Sequence, residues 1–359
     1  MDRVPIAFLE HLYAISTIFG LSQAKELSGQ FGKLARHTFE QWTCYVCSVQ
    51  DGRVGSTSYR QFIRSDQEDV TPEEIAAVPK KFVREIWIFV EDAEVENVSR
   101  RLVRQFPHAE QSFVLDTSTI NKAWVDFACS LNMLQRVMIK HKLDDDSLRL
   151  FQKLITGRKL FALVMPPEVC EGAIMELPKS LLCQDQFTVL QIEDSIGGAW
   201  RTAPLQEVLE FWTENSDRLR GKNLLINVYS IDMNCKSGVK QLEKFLLNRA
   251  SAMGHPPGVA SRTRRCLTIQ SVLKVCSKEE CDFIERNYQH VRNYCQPFYK
   301  PSCVYKYEEG EEEEKRRLYI SFECGKEIQP CEKWRRASHE GHKDLSLMHN
   351  ISLLHIMFA

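Results

Sequence analysis

No stretch of this chain reaches the roughly eighteen consecutive apolar residues that a membrane-spanning helix needs. The opening Met1-Asp2-Arg3-Val4-Pro5 lacks the long apolar core and small-residue cleavage site of a secretory leader. Neither secretion nor membrane spanning is therefore expected. Glycine and proline are scarce, 16 and 13 of 359 residues, which excludes a collagen-like or low-complexity chain. Charge of one sign is lacking too. Forty-seven basic residues stand against 48 acidic ones, so nothing draws the whole molecule toward nucleic acid, an anionic membrane or an acidic substrate.

Recognisable catalytic motifs are missing as well. There is no Walker-type loop, no Gly-x-Gly-x-x-Gly, no His-Glu-x-x-His and no Gly-x-Ser-x-Gly. The nearest imitation of a phosphate cradle, Ile196-Gly197-Gly198, reads as a strand-to-helix turn. His141, His290 and His349 have no neighbouring nucleophile and carboxylate in sequence. An enzyme is not expected, nor is a small-molecule cofactor.

Cysteine, by contrast, is present in quantity. The 13 cysteines are an odd number without repeating spacing, and Cys129, Cys170, Cys183 and Cys266 sit beside apolar residues. Reduced, packed thiols and a cytoplasmic or nuclear location are expected. Cys44-x-x-Cys47 supplies at most two of a structural zinc's four ligands, and Cys324, Cys331, His339 and His342 follow no zinc-site spacing. On a strand, Cys44 and Cys47 face opposite ways, and no helix start follows them to lower a thiol pKa. No metal is expected. Two small basic patches, Arg262, Arg264 and Arg265, then Lys333, Arg335 and Arg336, lack interleaved aromatics and read as surface charge without nucleic acid.

A composition 43% hydrophobic and 10% aromatic describes a folded chain, long enough for several domains or one repeat array. From Val4 to Trp42, apolar residues at helical spacing with Gly20, Gly29 and Gly32 as breaks predict short helices over 1–42. Segment 43–84 reads as a connector. It holds a strand Thr43–Val49, an Asp51-Gly52 turn, a strand Tyr59–Ile63 and a short helix opened by Thr71-Pro72-Glu73-Glu74.

Over 85–254 a short apolar strand followed by an amphipathic stretch recurs. The strands are Ile86–Val90, Phe113–Leu115, Val137–Ile139, Leu160–Val164, Val189–Ile192 and Leu224–Val228. Centres at 88, 114, 138, 162, 190 and 226 give steps of 26, 24, 24, 28 and 36, mostly in or near the range of about 20 to 29 of leucine-rich repeats. Between them, Asp144-Asp145-Asp146 opens a helix that Gly157 ends, and Thr202 before Ala203-Pro204 suggests another cap. Strand then helix, repeated, predicts parallel strands. The steps favour an irregular βα solenoid, with a doubly wound sheet as the competing α/β arrangement.

Residues 255–265, with His255-Pro256-Pro257-Gly258 and the arginines, read as a linker, and 266–359 as a small α+β unit. In that unit Ser277 opens a helix with Phe283 and Ile284 inward. Val304–Tyr307 and Leu318–Phe322 form a hairpin around a glutamate-rich tip, Glu308 to Glu314, and Ile351–Phe358 is a final strand or helix.

The opening Val4-Pro5-Ile6-Ala7-Phe8-Leu9-Glu10-His11-Leu12, followed by Leu21, Leu27, Leu34-Ala35 and Trp42, resembles the F-box pattern of a proline-headed helix, leucine-rich middle and closing tryptophan. Placed ahead of irregular leucine-rich-like repeats, it is similar to the large nematode families of F-box-like proteins. The resemblance implies that the N-terminal helices dock on the SCF adaptor subunit through Pro5, Phe8, Leu9 and Leu12, in helix-in-groove fashion. It implies further that the repeats recruit a target protein into the ubiquitin conjugation pathway, the chain itself catalysing nothing. The competing expectation is a repeat-based interaction scaffold whose N-terminal helices are only a cap.

Overall fold

The computed structural model describes residues 4–16, 18–61, 79–92, 95–132, 134–194, 199–228, 234–252, 269–288, 301–311, 315–324 and 337–359. The expected helix start at Thr71, the turn at Ile196, the linker 255–265 with its arginines, His290, and the basic patch at Lys333 lie outside them. The chain divides into two compact units, Met1–Phe161 and Ala162–Ala359. Each is mixed α/β.

The first unit opens with three helices, α1 (Ile6–Ile15), α2 (Ile18–Ala24) and α3 (Gly29–Glu40). Pro5, with φ fixed at −57°, sits at the cap of α1, where its missing N–H leaves no intrahelical bond unmade. Leu9, Tyr13, Leu21, Ala35 and Trp42 close a small core, and the Tyr13 hydroxyl donates to the Phe31 carbonyl at 2.9 Å. The glycines do not act simply as breaks. Gly29 begins α3 at φ 75°, but Gly20 lies within α2 and Gly32 within α3. Gly32 is there for space, since a Cβ would fall 1.7 Å from the Leu27 carbonyl oxygen.

Next come β1 (Thr43–Gln50) and β2 (Arg53–Gln61), an antiparallel hairpin. Asp51 and Gly52 both have positive φ, 48° and 65°, the backbone of a type I′ turn. The second strand starts earlier than its apolar residues predict. Its first half, Val54-Gly55-Ser56-Thr57-Ser58, is small and polar, and the register shifts there opposite Cys47–Val49, as at a β-bulge.

Strands β3 (Val83–Val90), β4 (Glu110–Leu115) and β5 (Leu134–Ile139) alternate with α4 (Glu96–Gln105) and α5 (Lys122–Ser130), and α6 (Asp145–Thr156) follows. β1, β3, β4 and β5 are parallel and lie side by side in chain order. Phe113 packs edge-on against Trp124 and Phe127 of α5, so the helices cover the face that carries Ile86, Ile88 and Phe113. α6 starts where the sequence places it. The Asp144 carboxylate accepts from the Ser147 N–H at 2.7 Å, and Gly157 stands at the C-cap.

In the second unit, β6 (Leu160–Met165, in which the boundary falls), β7 (Val189–Asp194) and β8 (Asn223–Val228) are parallel and again neighbours in chain order. Among the helices are α7 (Glu176–Leu182), α8 (Pro204–Leu219) and α9 (Lys236–Ala252). Thr202 does not cap α8. Its hydroxyl donates to the Pro167 carbonyl, and the Gln241 side chain of α9 accepts from the Leu205 and Gln206 N–H groups instead.

The remaining elements are β9 (Leu273–Val275), α10 (Lys278–Asn287), β10 (Tyr305–Glu309), β11 (Arg316–Cys324) and β12 (Ile351–Phe358). The last segment is a strand. β12 runs antiparallel between β8 and β11, so residues beyond 300 share one sheet with β7 and β8. Trp212 of α8, Phe245 of α9, Tyr307 and Phe358 form the aromatic centre of this core. Ser277 and Glu280 make a full capping box for α10. Phe283, however, points outward, 42% exposed, because Cys281, Ile284 and Tyr288 already occupy the packed side of this short helix. Glu308 and Glu309 belong to β10 rather than to a solvated tip. Glu308 pairs with Arg317 at 2.5 Å, and the buried Glu309 faces Arg249 and Arg316.

Candidate protein-docking surfaces

Helix α1 presents two sides. Leu9 and Tyr13, four residues apart, are buried at 4% and 2% exposure, while Phe8 and Ile6 are 58% and 57% exposed and Pro5 is exposed. Leu12 is half-buried. Of the four residues expected to meet an adaptor, Pro5 and Phe8 thus face solvent, Leu12 lies between, and Leu9 belongs to the three-helix core. Ile6 stands on the exposed side although it was not singled out. The position of α1 is set from its C-terminal end, where the buried Arg84 guanidinium of β3 donates to the Tyr13 carbonyl at 2.9 Å and lies 5.8 Å from the Trp42 ring. A cation at a helix C-terminus is favourably placed against the dipole.

The second surface is the face of β1, β3, β4 and β5 opposite Ile86 and Phe113. There β3 carries Glu85, Trp87 and Phe89, all half-buried. Arg136 of β5 and Lys140 just after it reach across the small Ser112 and Val114 of β4. The Arg136 guanidinium lies 4.8 Å from the Trp87 ring centre, and the Lys140 ammonium 5.3 Å from that of Phe89. Lys140 and His141 both hold Asp116, at 2.7 and 2.9 Å. Burial raises the Asp116 pKa, but the hydrogen bonds from Lys140 and His141 outweigh it and hold the carboxyl below its usual range. His141 does therefore have a carboxylate partner, one that adjacency in sequence could not reveal. The indole N–H of Trp87 donates to Glu85 at 3.3 Å.

Cys44 and Cys47 take opposite sides of β1, as a three-residue separation on a strand requires. Burial pushes the Cys47 thiol up to about 12, which makes it a packing group rather than a nucleophile. Among the described residues no group of three or more His, Cys, Asp or Glu side chains is placed to hold a metal ion, and no helix is long and apolar enough to cross a membrane.

Trp87, Phe89, Arg136 and Lys140 were not distinguished from core residues by sequence reasoning. Their only signal was aromatic residues two apart on β3, and nothing in the sequence says which face of that strand the helices cover. Comparison of the chain with family models, with curated proteins and with solved structures finds no match.

Proposed function

We propose that the chain is the substrate-recognition receptor of an SCF-type ubiquitin ligase, docking on the adaptor through α1 and presenting a target-binding face on a leucine-rich-repeat-like βα solenoid. The observation that carries the reading is the exposure of Phe8 and Ile6 beside Pro5 on a helix whose other side is already packed. A monomer has little reason to leave such a patch in water unless it is covered on binding.

The solenoid part rests on strand order. β1, β3, β4 and β5 in one unit, and β6, β7 and β8 in the other, are parallel neighbours in chain order. A doubly wound sheet reverses its order at a switch point, whereas a solenoid stacks successive repeats. Trp87, Phe89 and Lys140, half-buried around the buried Arg136, give the target-binding surface in this reading its aromatic and cationic character.

The experiment is a pull-down of the full chain with purified SCF adaptor beside a Phe8→Asp variant and an Ile6→Asp variant, each checked for folding by circular dichroism. Binding by the wild type and its loss in both folded variants is the expected result. Burial of Leu9 with Tyr13 and Trp42 also fits the competing reading, an interaction scaffold whose helices are a cap. A folded wild type that fails to bind the adaptor decides for that scaffold.

A further inference from the structure

Glu85 of β3 and Glu110 of β4 are direct partners across neighbouring parallel strands, on the same face of the sheet. Strands in a sheet lie about 4.8 Å apart, so the two carboxyls stand side by side, where like charges oppose each other. Both residues are half-buried. Among the described residues, the charged side chain acting on both is Arg136 of β5. The other described groups facing the pair are the indoles of Trp42 and Trp87, which hydrogen-bond to Glu85, and the Cys44 thiol opposite Glu85 on β1. Arg84 leaves by the other face, to the Tyr13 carbonyl. Lys140 is engaged with Asp116 at the far end of the strands.

Among the described residues, two half-buried carboxylates and one buried guanidinium do not balance. We propose that Glu85 and Glu110 share a single proton at neutral pH, forming a proton-sensitive pair beside the Trp87–Arg136 stack. With one proton retained the set is neutral; with none it carries one net negative charge next to the Trp87 ring. Burial, and for Glu110 the neighbouring Glu85 as well, raises both carboxyls, Glu110 to about 7, despite the lowering effect of Arg136. The proton belongs to the pair rather than to either residue. Its loss around neutrality converts this end of the strand face from neutral to anionic. The face would then disfavour acidic partners at higher pH. This holds whether or not the face receives a ubiquitin-ligase target.

The test is a carboxyl carbon NMR titration of the full chain labelled at glutamate, in the wild type and in Glu85→Gln and Glu110→Gln. One titration near neutrality is expected in the wild type. In each variant the surviving carboxyl should titrate lower by about one pH unit, because its like-charged neighbour is gone. The two isosteric variants read the same coupling from opposite sides, so misfolding of one leaves the other decisive. Ordinary carboxyl titration of both residues in the wild type overturns the proposal, as does a midpoint that neither variant moves.

Discussion

Glu110 in the first unit and His355 in the second are both withdrawn from water on strands, and burial drives each toward its neutral form. The signs are opposite. The carboxyl is raised to about 7, and the imidazole, bonded to the Asn223 side chain at 2.9 Å, is pushed down to about 3. Around Glu110 the β3 side of the strand face is half-buried, and a second carboxylate stands there beside the buried Arg136 guanidinium. Around His355 the strands are covered on both sides and the polar groups pair within the sheet, Gln191 with Glu193 and His355 with Asn223. One region keeps unbalanced charge near a surface; the other spends its polar groups on each other. A partly exposed strand face and a core covered on both sides differ in that way.

The largest contrast should come from aromatic truncation. Trp212→Ala empties the centre of the second unit's core and should cost about 3–5 kcal/mol by chemical denaturation. Trp87→Ala, on the half-buried face, should cost well under half as much, within about 2 kcal/mol. Equal losses would make the Trp87 face a core and break the comparison.

Acid stability comes next. A histidine with a depressed folded pKa binds fewer protons folded than unfolded, so stability present above 6.5 is lost as pH falls toward about 3. His355→Gln should flatten that acid limb in urea melts taken across the window, and an unchanged limb would exclude His355 as its source. The pair in the first unit works the other way. A carboxyl raised in the folded state contributes stability below 4.5 that is lost as pH rises to about 7. Glu110→Gln should reduce this smaller alkaline-going loss, leaving the part that burial of Glu85 contributes, and a loss of unchanged size would assign it elsewhere.

Much of the fold was legible because of where apolar residues fall. The strands from Ile86 to Val228 are runs whose helix-facing side is continuous Ile, Val, Leu and Phe, and all lie within observed strands. The Asp51-Gly52 turn and the Asp144 cap are local chemistry, and local chemistry reads well from sequence. What failed or stayed open depended on distant partners. Thr202 finds the Pro167 carbonyl, Gln241 takes over the cap, and β12 is fixed as a strand by β8 and β11, segments far away in the chain.

The candidate surfaces divide in the same way. Pro5 and Phe8 were singled out from a local pattern, while the inward turn of Leu9 needs Tyr13, Leu21 and Trp42 assembled around it. The Trp87–Arg136 stack joins residues two strands apart and had no sequence signature.

The outer side of α1 is the proposed docking surface, while its inner side holds the helical core. Amide hydrogen exchange of the full chain with and without the SCF adaptor tests it directly. Added protection confined to Ile6–Ile15 and its neighbouring helices is the predicted result. Exchange in α1 that saturating adaptor leaves unchanged would contradict the account.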